Sequence, residues 1–272
     1  MKILVFANQK GGVGKSAIAT QMAHYLRRRQ LSVLFLDLDH QQNSSRPLRM
    51  NPGVTCAAFT ACQLLQGEGR MALPDAGFVL IAGSEDLSQL ERQGEQHNRI
   101  AARLRAALSD ARGFDVCLID TNPNPDIRYG AALICADYVL APIQLNQEAI
   151  EGIGALLNHS RYGLARIKAL LNARLEFLGI LPNFVEPTPF QRTNLKCLIS
   201  RFGSRLLSGE AQGKPWFAHI PKRSAIAEAQ AAGLFLPDLK KSAAREAWHE
   251  IQPVFDLMLA KMGLDGWTGD RT

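Results

Sequence analysis

The eight residues Gln9-Lys10-Gly11-Gly12-Val13-Gly14-Lys15-Ser16 constrain this chain more than any other stretch. An apolar run, Ile3 to Ala7, precedes them and predicts a buried strand, while Ile18, Met22, Tyr25 and Leu26 follow at helical spacing. The order is therefore strand, glycine loop, helix. Glycines lack a Cβ and let the backbone wrap closely round an anion, the free N–H groups of the loop and helix start point inward, and the helix dipole adds positive potential. This pattern predicts a phosphate cradle, in which Lys15 would reach the β- and γ-phosphates and the Ser16 hydroxyl would hold Mg²⁺. The general pattern places a glycine five residues before Gly14, and this chain has Gln9 there instead.

A chain of 272 residues is long enough for one large α/β domain with a substantial core, and a second full domain would be crowded. No apolar stretch approaches the roughly 20 residues of a membrane span, and the N-terminal run is too short for a signal peptide. A cytoplasmic protein is expected. Cys56, Cys62, Cys117, Cys135 and Cys197 are scattered and contain no Cys-x-x-Cys pair, so they read as reduced thiols rather than a disulfide framework or a zinc site. The formal net charge of +6 is uneven: Arg161 to Arg245 holds fourteen Lys or Arg against five Asp or Glu, and the rest has seventeen against twenty. Such a region can hold a polyanion by counterion release, or it can simply be a solvated face; composition alone leaves both open.

Further along, Val33 to Leu36 predicts a buried strand ending in Asp37 and Asp39, and ligands of open parallel sheets bind at the carboxyl ends of strands. Between Arg46 and Asp75 the pattern is weak, with a short helix expected over Cys56 to Leu65. A strand at Phe78 to Ala82, a polar connection from Ser84, and a helix carrying Ile100, Leu104 and Leu108 on one face come next. Val116 to Ile119 is another apolar run closed by an acid, Asp120, which suits Mg²⁺ because that ion prefers one or two carboxylates and keeps several waters. A helix over Gly130 to Ala136, a strand over Tyr138 to Pro142, a helix from Gln147, a strand over Leu178 to Val185, a helix over Phe190 to Leu207 and a strand over Trp216 to Ile220 complete the pattern. The alternation predicts an α/β fold with a doubly wound, mainly parallel sheet flanked by helices. The tail from Ala243 to Met262 is amphipathic, and without a lysine-rich polar face it is expected to pack on the sheet rather than lie on a membrane.

Lys10-Gly11-Gly12-Val13-Gly14-Lys15-Ser16 resembles the deviant Walker A loop of the ParA and MinD superfamily of P-loop ATPases, in which the early lysine is a signature. The residues alone would leave Lys10 a solvated surface lysine. Asp37-Leu38-Asp39-His40-Gln41-Gln42-Asn43 resembles that family's first switch, with His40 standing where the family has proline and Gln42 where it has glycine. Val116 to Asp120 resembles a Walker B element, Thr121 to Pro125 the second switch, and Ile220-Pro221 with the following Glu228-Ala229 the family's Ile-Pro-Arg segment. The resemblance runs from Ile3 to about Ile251 with these motifs in the expected order, and it is closest to the ParA or Soj type of partition ATPase.

That resemblance implies a single P-loop ATPase domain over 1–272 with no N-terminal helix-turn-helix domain. It implies ATP and Mg²⁺ as ligands, with Lys10, Gly11, Gly12, Val13, Gly14, Lys15, Ser16 and Ala17 round the nucleotide, and Asn183 and Pro221 beside the base. From the residues alone, a turn former before Pro187 is almost as good a reading of Asn183. Lys10, Lys15 and Asp39 form the implied catalytic set, and Ser16, Asp39 and Asp120 the metal set, with a helix or turn cap after a strand the lesser alternative for Asp39. The expected partners are a second copy in the ATP state, with each Lys10 reaching its neighbour's phosphates, a ParB-like centromere-binding protein, and non-specific double-stranded DNA met by Arg192, Lys196, Arg201, Arg223, Lys240, Lys241 and Arg245. No membrane partner is expected, and the cytoplasmic protein would be associated with the nucleoid. Two alternatives remain: a ParA-like ATPase that positions another cargo or aids DNA transfer, and a membrane-cycling ATPase of MinD type.

Overall fold

The structure is a computed structural model and describes residues 1–68, 72–92, 97–211 and 213–266. In chain order the elements are β1 (Lys2–Phe6), α1 (Lys15–Arg28), β2 (Val33–Asp37), α2 (Ser45–Met50), β3 (Thr55–Cys56), α3 (Ala61–Gln66), β4 (Phe78–Ile81), α4 (His97–Asp110), β5 (Val116–Asp120), α5 (Ile127–Cys135), β6 (Tyr138–Gln144), α6 (Gln147–Asn158), α7 (Leu164–Leu170), β7 (Glu176–Asn183), α8 (Pro189–Phe202), β8 (Ser208–Ala211), β9 (Lys214–Phe217), α9 (Ser224–Ala232) and α10 (Ser242–Lys261). Seven strands form one sheet in the order β3-β4-β2-β5-β1-β6-β7, and every neighbouring pair is parallel. This is the expected doubly wound sheet.

Strand residues alternate between two cores, which is why these strands read as continuous apolar runs. Leu4, Phe6, Phe35, Leu80 and Leu118 face α1, α9 and α10, whereas Val5, Ala7, Leu34, Val79 and Ile119 face α3, α4, α5 and α7. A smaller cluster under α6 and α8 covers the β6–β7 end. As the pattern of the tail implies, α10 buries Ala244, Ala247, Ile251, Val254, Phe255 and Met258 in the first core. Trp248 packs against Tyr25 and Phe255 with ring centroids 5.3 and 5.9 Å away. No described helix is long and apolar enough to cross a membrane.

Four local expectations are corrected. Thr55 and Cys56 pair with Val79 and Leu80 as an edge strand, so the helix expected from Cys56 begins at Ala61, where Thr60 and Gln63 form a capping box. The polar connection after Ser84 contains a 3₁₀ helix, Glu85–Arg92, because Leu87 and Leu90 can be buried at its spacing. The helix from Phe190 stops at Phe202 before Gly203. Finally, the strand expected over Trp216 to Ile220 lies earlier, at Lys214–Phe217, and pairs antiparallel with Ser208–Ala211 outside the main sheet.

Candidate nucleotide site

β1 sits between β5 and β6, so the glycine loop that leaves it emerges in the crevice flanked by the ends of both neighbours. Gly14 caps α1 with φ 85° and ψ 20°, and neither a side-chain cap nor an acidic residue occupies the first turn. The amide groups at the start of this 14-residue helix are therefore open to an anion. Gly14 is also closely covered: a Cβ there would lie 2.2 Å from Asn183 Nδ2 and 3.0 Å from Phe184 Cζ. Lys15 is buried under the loop, where its Nζ donates to the carbonyl oxygens of Asn8 and Lys10, both at 3.3 Å. Burial lowers its pKa, and the charges of Asp120 and Asp39 oppose that shift.

The carboxylates arrive from the neighbouring strands. Asp37 and Asp120 are register partners at the ends of β2 and β5, and both are fully buried. Burial raises both pKa values; the charge of Asp120 adds to the rise at Asp37, while the nearby Ser16 and Ser44 hydroxyls partly oppose it at Asp120. Asp37 is spent on support: it accepts the Ser45 hydroxyl at 2.6 Å and the backbone N–H groups of Ser45 and Asp39 at 2.9 and 3.0 Å. Of the two acids that close β2, Asp39 is the one that lines the cleft. Its Oδ1 accepts the Gln41 N–H at 3.0 Å. Gln42 holds φ 57°, so a glutamine takes the left-handed backbone in the place of the family glycine.

A divalent cation fits this donor set. Asp120 Oδ2 accepts the Ser44 hydroxyl at 2.6 Å, but its buried Oδ1 has no partner among the described residues. An orphaned carboxylate oxygen beside a serine hydroxyl and a second acid, all hard oxygen ligands, suits Mg²⁺ and would be relieved by its charge.

The cleft of about 570 Å³ is lined by Gly11 to Ala17 and Asp39, together with His40, Gln41, Asn43, Pro123, Phe184 and Gln230. Lys10 stands at the rim with its Nζ 2.7 Å from Glu148 Oε2 and 3.5 Å from Asn146 Oδ1, at the start of α6. Neither Asn183 nor Pro221 is among the lining residues. The amide of Asn183 is buried and donates to the Val13 carbonyl at 2.8 Å, clamping the loop from β7, while Pro221 is bridged to Val185. Phe184, Gln230 and Gln144 escaped the sequence reading. Gln144 Nε2 donates to the Gly12 carbonyl at 2.9 Å, and its only signal was a polar residue closing an apolar strand. Gln230 Nε2 donates to the Asn43 carbonyl at 3.0 Å and its Oε1 meets Thr20, a link between distant segments that no local pattern carries.

The basic side chains divide into two groups. Arg223 pairs with Glu250 and Lys241 with Glu228. Arg192, Lys196, Lys240 and Arg245 are exposed and have no ion pair among the described residues, and Arg201 lies over the Phe202 ring.

The sequence matches a family described as an AAA domain over residues 1–177. It is 33% identical over 275 aligned residues to the protein IncC of Escherichia coli, covering 96% of this chain and 70% of that protein. It is also 33% identical to the chromosome-partitioning ATPase Soj of Thermus thermophilus, over 85% of each chain. Among solved structures, a plasmid partition protein from Borrelia burgdorferi bound to AMPPNP superposes with a TM-score of 0.73 at 22% identity, covering 96% of this chain and 99% of that one.

Proposed function

Because the chain belongs to the ParA/Soj family of partition ATPases, we propose that it is a nucleotide-driven DNA-partition switch. ATP and Mg²⁺ would occupy the cleft between Gly11 to Ala17 and Asp39. The observation that carries this reading is the uncapped start of α1 over the buried Lys15, with the buried Asp120 carboxylate near enough for Ser16 and Lys15 to act on its charge.

Lys15 and the loop amides hold the phosphates, and the Asp39 carboxylate orients a water for attack on the γ-phosphorus, giving ADP and phosphate. Ser16, Asp39 and Asp120 would hold the cation, which when bound would supply charge neutralisation to the phosphate oxygens. Catalysis of this kind is mostly positioning and electrostatic stabilisation. In the ATP state two copies close face to face, and Lys10 leaves Glu148 to reach the partner's phosphates. The closed pair binds duplex DNA through phosphate contacts from Arg192, Lys196, Arg201, Lys240 and Arg245, with Arg223 and Lys241 joining once freed from Glu250 and Glu228. A ParB-like partner would accelerate hydrolysis and release the complex, and the protein would act on the nucleoid in the cytoplasm.

The test is binding to a non-specific duplex with ATP, AMPPNP, ADP or no nucleotide, over a salt series. Binding that needs the triphosphate and weakens steeply with salt is expected. Absence of binding in every state would refute the DNA switch.

A further inference from the structure

Arg128 is a charged residue in an unfavourable place. It occupies the second position of α5, where the helix dipole disfavours a cation, and it is only 3% exposed. Asp126, 7% exposed, makes this tolerable. Its Oδ1 caps α5 by accepting the backbone N–H groups of Arg128 and Tyr129 at 2.9 and 3.2 Å. Its Oδ2 accepts Arg128 Nε and Asn122 Nδ2, both at 2.9 Å, and also Arg128 Nη2. The carboxylate is thus saturated by groups of α5 and of the loop that follows β5. The remaining arm of the guanidinium crosses to the other loop, where Nη1 donates to the Leu38 carbonyl at 3.4 Å. Leu38 N–H donates in turn to the Asp120 carbonyl at 2.9 Å. Both backbone groups of Leu38 are therefore pinned, and the next residue is Asp39.

We propose that Arg128 is a positioning residue for hydrolysis: anchored on Asp126, it fixes the backbone at Leu38 and so the Asp39 carboxylate, tying the first switch loop to the second. Only a guanidinium can grip one carboxylate with two nitrogens and donate from the third in a different direction; a lysine ammonium in its place satisfies the charge but not the span. The pair with Asp126 and the contact with Leu38 are separate roles, one for the helix and one for the switch. This inference rests on the reading of Asp39 given above.

Arg128→Lys separates the two roles, since it leaves a cation beside Asp126 and avoids the uncompensated buried charge that an alanine would create. A misplacement of about 1 Å costs on the order of 10²-fold in rate, so kcat is expected to fall roughly ten- to a hundredfold. The Kd for AMPPNP should stay within about threefold, the signature of an interaction used after binding. Backbone amide exchange should quicken at Leu38 to Ser45 and stay unchanged across α5. Should Arg128→Lys fail to fold, the double variant Arg128→Gln with Asp126→Asn removes both charges and is expected to show the same kcat loss. Wild-type turnover in a folded variant would overturn the proposal. So would a joint loss of turnover and AMPPNP affinity with faster exchange throughout α5, since that is a role in the fold alone. A wild-type protein that binds AMPPNP yet never turns ATP over would overturn the hydrolysis reading itself, and this role with it.

Discussion

Replacing Gly14 by alanine tests the loop where its geometry is tightest. Two costs add. The backbone sits at φ 85°, a left-handed conformation that costs a residue with a Cβ about 1–2 kcal/mol. The new Cβ would also stand 2.2 Å from Asn183 Nδ2, so the amide must leave the Val13 carbonyl. Losing that buried hydrogen bond costs about 1–3 kcal/mol, for a sum of about 3 kcal/mol. Gly12 is the internal control: its φ is 72°, but nothing lies within 4 Å of its Cβ position, so Gly12→Ala carries the backbone term alone. A loop that keeps its shape bears the cost as lost stability, roughly 2–4 °C per kcal/mol in a chain near this size. A loop that relaxes bears it when nucleotide binds, at about 1.4 kcal/mol per decade of affinity. Calorimetric titration with AMPPNP and thermal unfolding, run together, capture both. Gly14→Ala should lose about a hundredfold in affinity or its equivalent in melting temperature, and Gly12→Ala about tenfold. Equal effects for the two variants would refute the collision with Asn183.

Further outcomes follow from other parts of the structure. His24 is buried against Phe78 and Phe235, and burial first, with Arg28 helping against Asp238, lowers its pKa to about 4. The unfolded chain binds the extra proton between about pH 6.5 and 4, so this stability is present above 6.5 and is lost as the pH falls, by about 3 kcal/mol at 1.36 kcal/mol per unit. Chemical denaturation of His24→Leu should show a flatter acid limb than wild type, and parallel limbs would count against the assignment. Lys10 holds the exposed Glu148 carboxylate below its usual range. Sedimentation of Glu148→Gln with AMPPNP should show dimers at lower protein concentration than wild type, because no ion pair must open; an unchanged threshold argues that Lys10 is not withheld. Lys240→Glu with Arg245→Glu should reduce the slope of log affinity against log salt by about 2, at 0.9 per phosphate contact. A parallel salt series would move the DNA face to α8.

Much of the site was legible because its chemistry is local. Ile3 to Ser16 states strand, loop and helix within fourteen residues, and runs such as Val116 to Asp120 announce a buried strand with an acid at its ligand end. What stayed hidden depends on contacts between distant segments. Nothing near Asn183 says that its amide is committed to Val13, 170 positions away. The charge count could not tell Arg223 and Lys241, which are paired, from Lys240 and Arg245, which are not. Arg128 carries no signal in the sequence, because its bond to Leu38 spans 90 positions. β8 and its antiparallel pairing with β9 were missed because four-residue strands leave too little alternation to read.

Gln42 gives the first switch loop a temper that a glycine would not. A left-handed glutamine sits about 1–2 kcal/mol uphill, and here the slope is climbed with the help of a few fastenings: Gln42 N–H on the Asp39 carbonyl, Arg46 N–H on the Gln42 carbonyl, and Gln230 on the Asn43 carbonyl. The strain is released when those fastenings open, so it lowers the cost of opening the segment by about the same 1–2 kcal/mol. How readily the loop opens then depends on one side chain, and Gln42→Gly, which removes the strain, should slow amide exchange from His40 to Ser45.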